Sequence, residues 1–474
     1  MDRIRTNSVR VSDLHVEIRR DVPVPLHRQI AAAVRTHIRS GRLPAGACLP
    51  PTRVMAGNLG VSRGVVVEAY AQLTAEGYLT ACSGGYTEVL MGAHALVKPS
   101  PANPPPSYRI DFTYGRADVS HFPRIQWLRS LRRVLTFTPA QEFAMLSGRG
   151  AATLREALAG YLNRVRGTAA DPDNIVVTNG FAQGIRLLVQ VLAESGARRL
   201  AMEDPGPDDD ARPAARTAGL EVIGIPVDEG GLCTDGLDRV HADALVLAPS
   251  HQWPVGGALT AARRAAVLQW AHHHNAVIVE DDYDAEYRFD RNSLGALQGL
   301  APDQVVYAGT LSKTLAPGVR IGWLVLPAHL SEAVATAKIT ADRGSATLEQ
   351  LAFADFLDRG EFDRHTRRMR LIYRARRQAL LAALRRHLPD ARPAGIAAGL
   401  HLLVWLPPDL DEQRVAQAAA DLGVFVQPVE RYRLTTDPGA TGGLVLGYSV
   451  LNERDIAEGI ELLGRAVAAV RTSR

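Results

Sequence analysis

At 474 residues the chain is longer than one compact core can organise, so two or three domains are expected. No apolar run approaches a membrane span, and the three scattered cysteines lack CxxC spacing. These features argue against a membrane-spanning protein, a disulfide scaffold and a zinc site, and they predict a cytoplasmic protein. The net charge of +4 lies at the front, where residues 1–92 carry eleven arginines against seven acids, a pattern that suits a nucleic-acid partner or a solvated surface.

In chain order, "PLHRQIAAAVRTHIRSGRL" predicts a helix that opens at Pro25 and stops at Gly41, with Ile30, Val34 and Ile38 on one face. "PPTRVMAGNLG" predicts a short second helix ending at Gly60. In "VSRGVVVEAYAQLTAEGYL", Ser62 is a candidate N-cap, Val66, Tyr70 and Leu73 keep helical spacing, and Gly77 ends the element. "YLTACSGGYTEVL" predicts two short strands around Gly84 and Gly85. Three helices, the last two joined tightly, followed by a hairpin make a winged helix-turn-helix. The proline-rich stretch "LVKPSPANPPPSYR" predicts a semi-extended spacer. The domains are therefore placed at 1–92, a linker at 93–109 and a body at 110–474.

The segment "LPPTRVMAGNLGVSRGVVVEAYAQLTAEGYL" resembles the DNA-binding domain of GntR-type regulators. The resemblance implies that Arg53, Ser62 and Arg63 reach duplex DNA and that the Gly84–Gly85 wing lies against its backbone. Val65 stands where a threonine is common, which removes one phosphate contact. The competing reading is a helical protein-interaction module with surface arginines.

The body alternates helical patterns with the apolar runs "NIVVT", "RRLAME", "ADALVLAP", "AVIVEDD", "QVVYAG" and "IGWLVLP", as expected for a mostly parallel α/β sheet buried on both faces. Ligands in such sheets sit beyond the carboxyl ends of the strands. Those ends read "TNGFAQG", "APSHQWPVG", "EDDYDAEY" and "GTLSKT".

The chain has only three lysines, Lys98, Lys313 and Lys338, among 54 basic residues. A primary amine condenses with an aldehyde, whereas an arginine guanidinium does not, so a lysine kept at position 313 suggests covalent chemistry. Asp281 and Tyr283 stand two apart at a strand end and share a side. There a carboxylate can keep a pyridine nitrogen protonated and a phenol can bond a ring hydroxyl. Gly180, Phe181 and Ala182 form a turn into a helix whose backbone N–H groups can bind a phosphate. Arg320 can add a bidentate contact, and Thr310 and Ser312 can add hydroxyl donors. No metal site is expected, and the run His272–His274 reads as solvated surface.

Together these pieces resemble the fold-type-I aminotransferases that bind pyridoxal 5'-phosphate (PLP). The resemblance covers residues 110 to about 465. It implies a large domain with a mostly parallel sheet and a smaller C-terminal α+β domain. By it, Lys313 is the internal-aldimine lysine, Asp281 the pyridinium partner, Tyr283 the O3' partner and Arg320 the phosphate clamp. A winged helix ahead of such a body resembles the MocR/GabR family of transcription regulators, as do "DFTYGRADVSHFP", "LREALAGYL", "EDPG", "PSHQWP" and "LSKTLAPGVRIGW". The resemblance implies a domain-swapped homodimer whose DNA binding responds to PLP or to an amine that reacts with it, with vitamin B6 or amino-compound metabolism as the regulated process.

The substrate side departs from the aminotransferase pattern. Val445 stands where the arginine that clamps a substrate carboxylate is usual, and "EDPG" is followed by Pro207 and Asp208–Asp210 rather than by an aromatic residue. Arg431 and Arg433 in "VERYRLTT" read as exposed surface arginines, with compensation for the missing clamp as the alternative. The rivals to a PLP-dependent regulator are an active aminotransferase with a vestigial front domain and a DNA-binding protein whose body is only a dimerisation scaffold.

Overall fold

The computed structural model describes residues 16–81, 86–90, 108–144, 147–289, 294–435 and 439–472. Gly84, Gly85 and nearly all of the proline-rich spacer lie outside the described residues. The chain divides into two compact units, Met1–Pro106 and Ser107–Arg474.

In the first unit, α1 (Leu26–Arg39), α2 (Thr52–Leu59) and α3 (Arg63–Ala75) pack on a three-stranded antiparallel sheet. Its strands are β1 (Cys48–Leu49), β2 (Leu79–Ala81) and β3 (Thr87–Val89), in the order β1-β3-β2. Ile30, Val34 and Ile38 are buried together with Val66, Tyr70 and Leu73, as the helical spacing requires. Gly60 closes α2 in the left-handed conformation at φ 61°. Ser62 occupies the N-cap position of α3, but its hydroxyl makes no capping hydrogen bond. Arg53 and Arg63 are exposed near the starts of α2 and α3. The bond from the Arg63 guanidinium to the Thr52 hydroxyl, at 3.4 Å, is long. The third strand, β1, escaped the sequence pattern because two residues are too few to show a period.

In the second unit, β4 (Ile110–Asp111) is followed by α4 (Arg124–Phe137), α5 (Ala140–Ala144) and α6 (Ala152–Arg166). The large sheet then takes β5 (Ile175–Thr178), β6 (Arg199–Asp204), β7 (Glu221–Asp228), β8 (Gly231–Leu232), β9 (Ala244–Leu247), β10 (Val277–Asp282), β11 (Val305–Thr310) and β12 (Gly322–Val325). Their spatial order is β5-β12-β11-β10-β9-β6-β7-β8. The run β11-β10-β9-β6-β7 is parallel, whereas β12 is antiparallel to both of its neighbours.

The central strands are buried at consecutive positions, and successive side chains alternate between the two covered faces of the sheet. Val279, Val306 and Leu324 pack against α7 (Phe181–Glu194) on one face. Tyr307, Trp323 and Val325 pack against α6 and the helix Thr347–Asp358 on the other. A smaller antiparallel sheet of β13 (Arg392–Pro393), β14 (His401–Trp405), β16 (Gln427–Pro428) and β17 (Gly443–Gly447) forms the C-terminal part, while β15 (Val424–Phe425) pairs with β4. The helices Glu361–His387 and Glu453–Thr472 share the core of this part with Val404 and Leu446.

Candidate functional site

Beyond the carboxyl ends of β10 and β11 lies a cavity of about 340 Å³, within the size class of small-molecule sites, roughly 300–1,000 Å³. Its lining brings together Phe181, Ala182, Asp281, Tyr283, Thr310, Ser312, Lys313 and Arg320 from four separate segments.

Strand alternation explains the Asp281–Asp282 pair. Asp281 shares the α7 face with Val279 and opens into the cavity. Asp282 faces the opposite side, where Arg166 of α6 meets its carboxylate at 2.7 Å and the Tyr307 hydroxyl donates to it at 2.8 Å. Both members of that ion pair are buried. The Asp281 carboxylate accepts no hydrogen bond from the described residues. Burial, with Asp210 and Asp282 nearby, holds its carboxyl well above the ordinary carboxylate range, although Lys313 opposes the shift.

Lys313 follows β11, and its Nζ donates to the Gly115 carbonyl at 2.9 Å and stands 5.3 Å from the centre of the Tyr114 ring. Burial lowers its pKa, against the pull of Asp209, Asp281, Asp210 and Asp284. A side chain on Gly115 would come within 2.9 Å of Nζ, so the absence of one leaves the amine room. Lys338, by contrast, is buried and paired with Asp342 at 2.7 Å, away from the cavity.

Gly180 is the N-cap of α7 at φ 92°, a conformation open to glycine and costly for other residues. It presents the first N–H groups of α7 to the cavity, and a Cβ at this position would lie 3.3 Å from Arg320 Nη1. Arg320 itself adopts φ 55° after the turn Pro317–Val319, which directs its side chain back across Gly180. Thr310 Oγ1 lies 3.1 Å from Ser312 Oγ, and the Ser312 N–H donates to Thr310 Oγ1 at 3.2 Å.

The sequence pattern did not single out several cavity residues. Tyr114 stacks on Trp253 with centroids 3.6 Å apart, and Gln427 and Tyr432 complete the wall. Arg431 is exposed, as expected, yet it also lines the cavity and binds Asp208 at 3.0 Å. Arg433 donates to the Thr441 carbonyl instead. Val445 is fully buried on β17 beside Trp253, Tyr283 and Leu403 and does not reach the cavity surface. Behind Tyr283, whose hydroxyl donates to the His251 carbonyl at 2.8 Å, His251 meets Asp284 at 2.9 Å. The motif "PSHQWP" carries His251 and Trp253, but only the fold shows that Trp253 lines the cavity while His251 backs Tyr283.

The family model for class I and II aminotransferases matches residues 117–443, and that for gntR-family bacterial regulatory proteins matches residues 26–89. The probable rhizopine catabolism regulatory protein MocR of Rhizobium meliloti is 33% identical, with 96% of each chain covered. The pyridoxine biosynthesis transcriptional regulator PdxR of Corynebacterium glutamicum is 32% identical over 94% of this chain and 96% of its own. An α-aminoadipate aminotransferase of Thermus thermophilus, solved with N-(5'-phosphopyridoxyl)-L-leucine, superimposes with a TM-score of 0.68 at 26% identity, covering 77% of this chain and 93% of that one.

Proposed function

Because the chain belongs to the MocR-type transcription regulators, which join a GntR-family DNA-binding domain to a class I and II aminotransferase body, we propose that ligand occupancy of the Lys313 cavity sets its affinity for promoter DNA. Its cofactor is PLP, in keeping with the aminotransferase fold. The sensed molecule is PLP itself or an amine that reacts with it, and the regulated process is vitamin B6 or amino-compound metabolism. We place the protein in the cytoplasm; no helix of the described residues is long and apolar enough to cross a membrane.

The cavity suits PLP on two observations. The Asp281 carboxylate has no donor among the described residues, and a protonated ring nitrogen would supply one. The N-terminus of α7, Arg320, Thr310 and Ser312 form an anion cradle at one end of the same cavity. When bound, PLP supplies an aldehyde that condenses with primary amines and a ring that withdraws electrons. In our reading Lys313 holds the aldehyde end, Tyr283 the ring hydroxyl, and Gly180, Phe181, Ala182, Arg320, Thr310 and Ser312 the phosphate. Depression of the Lys313 pKa by burial favours the neutral amine that such condensation needs.

In the first unit, Arg53, Ser62 and Arg63 approach duplex DNA from the starts of α2 and α3, with the Gly84–Gly85 segment as the wing. Two copies of the chain form a domain-swapped dimer in this reading. In support, α4 exposes Ile125, Leu128, Leu135 and Phe137, each at least 63% accessible, more apolar surface than a solvent-facing helix usually carries.

Val445 favours the regulator over an active aminotransferase. An apolar residue fully buried at the clamp position cannot orient a substrate carboxylate, and such positioning can contribute about 7–11 kcal/mol of barrier reduction. The test is a gel shift with the upstream region of the chain's own gene, with and without PLP, alongside a transamination assay using amino acids and a keto acid. The proposal expects PLP-dependent DNA affinity and no sustained turnover. DNA binding indifferent to PLP and to amines, or turnover at enzyme-like rates, would overturn it.

A further inference from the structure

The cavity carries more carboxylates than the reading above uses. Four aspartates line the cavity, Asp208, Asp209, Asp210 and Asp281, against three cations, Lys313, Arg320 and Arg431. Arg431 is committed to Asp208 at 3.0 Å. Arg320 belongs to the phosphate, Asp281 to the ring nitrogen and Lys313 to the aldehyde. Asp209, which is exposed, and Asp210 make no ion pair among the described residues; the cations that act on Asp210 are Lys313 and Arg320, which the bound cofactor would take. Asp210 is partly buried, and burial together with Asp209 pushes its carboxyl up to about 6 against the pull of Lys313 and Arg320, as expected for a half-buried carboxylate beside another.

A second feature points to the same class of ligand. Tyr114, Trp253 and Tyr432 form an aromatic side of the cavity, with Tyr114 and Trp253 stacked at 3.6 Å and Trp253 and Tyr432 edge-on at 5.2 Å. Aromatic faces attract ammonium groups and gain nothing from carboxylates. An amino-acid carboxylate placed here would meet two unpaired aspartates and no uncommitted arginine. A second ammonium would meet two carboxylates and a π surface.

We propose that the effector is a short aliphatic diamine, or a closely similar dication, whose far ammonium is held by Asp209 and Asp210 beside the Tyr114–Trp253–Tyr432 wall. This rests on the assignment of the Lys313 cavity to PLP and names the class of molecule that shares it.

The test uses the PLP-loaded full chain at pH 8 and three probes of matched length: 1,4-diaminobutane, butylamine and 4-aminobutyrate. Binding is read by calorimetry and by the change in cofactor absorbance. The diamine should saturate at a concentration about tenfold or more below butylamine, and 4-aminobutyrate should be the weakest of the three. The double substitution Asp209→Asn with Asp210→Asn should bring the diamine-to-butylamine ratio close to one, while circular dichroism reports the fold. Equal midpoints for diamine and butylamine, 4-aminobutyrate binding best, or a ratio unchanged in the double variant would each overturn the proposal. If PLP loads and butylamine registers, such a result removes the diamine inference alone. If the chain takes up no PLP, the cavity assignment fails and the inference falls with it.

Discussion

Glu203 is the most exacting test of how the cavity wall is built. It lies near the end of β6, four residues before Pro207, fully enclosed. One carboxyl oxygen accepts the Ala248 N–H at 3.0 Å, tying β6 to the turn that carries His251 and Trp253, while the other oxygen has no partner. Burial raises its carboxyl from 4.5 to about 8, with the Ala248 bond opposing. Below pH 4.5 the group is protonated in both the folded and the unfolded chain, and pH has no leverage through it. Between pH 4.5 and 8 the unfolded chain loses the proton and the folded chain keeps it, so stability falls as pH rises. At about 1.4 kcal/mol per pH unit, the loss accumulated across that window reaches a ceiling of roughly 5 kcal/mol. Glu203→Gln retains an acceptor for Ala248 and never ionises. It should match the wild type near pH 4.5 and exceed it progressively towards pH 8. Glu280 and Glu286, both pushed up to about 7 by burial, give both proteins the same background slope, so the difference isolates Glu203. The assay is denaturant unfolding followed by tryptophan fluorescence at pH 5, 6, 7 and 8. A difference between variant and wild type that stays constant with pH would refute the reasoning.

Lys313→Ala should abolish the PLP adduct that borohydride reduction fixes, leaving circular dichroism unchanged; a fixed label on Lys338 in peptide mapping would contradict the assignment. Asp282→Ala leaves the Arg166 guanidinium buried without its counter-ion and should destabilise the body by about 3–5 kcal/mol, read from unfolding midpoints, and a loss below 1 kcal/mol would count against the buried pair. Arg53→Ala with Arg63→Ala should weaken DNA binding and shallow the log–log salt dependence by about 0.9 for each phosphate no longer neutralised, and an unchanged slope would remove both residues from the interface. Leu128→Glu with Phe137→Glu should shift sedimentation from dimer to monomer, whereas a dimer that persists would locate the interface elsewhere.

The parts of the site that were legible in the sequence are those that local periodicity controls. A strand's two-residue repeat places Asp281 and Tyr283 on one side and Asp282 on the other without knowledge of the fold, although only the structure supplies Arg166 as the partner of Asp282, and a glycine before a helical run places the N-terminus of α7 at a strand end. The scarcity of lysine singled out Lys313 because the chemistry separating an amine from a guanidinium does not depend on position. β7 escaped notice because Gly224 and Pro226 interrupt its pattern and much of it is half-buried, so it shows neither the continuous apolar run of a central strand nor a clean alternation. The effector side was illegible for a different reason. Tyr114 meets Gln427 across 313 residues of chain, with Trp253 and Arg431 on the same wall, and no local period links them. Arg431 shows what this costs a reading of the sequence. It is exposed, as its surroundings suggest, yet its partner is Asp208, 223 residues away in the chain. That pairing takes up an arginine that could have served a ligand carboxylate and leaves Asp209 and Asp210 unmatched. The preference of the cavity for a cation therefore arises from a tertiary contact and from no single motif.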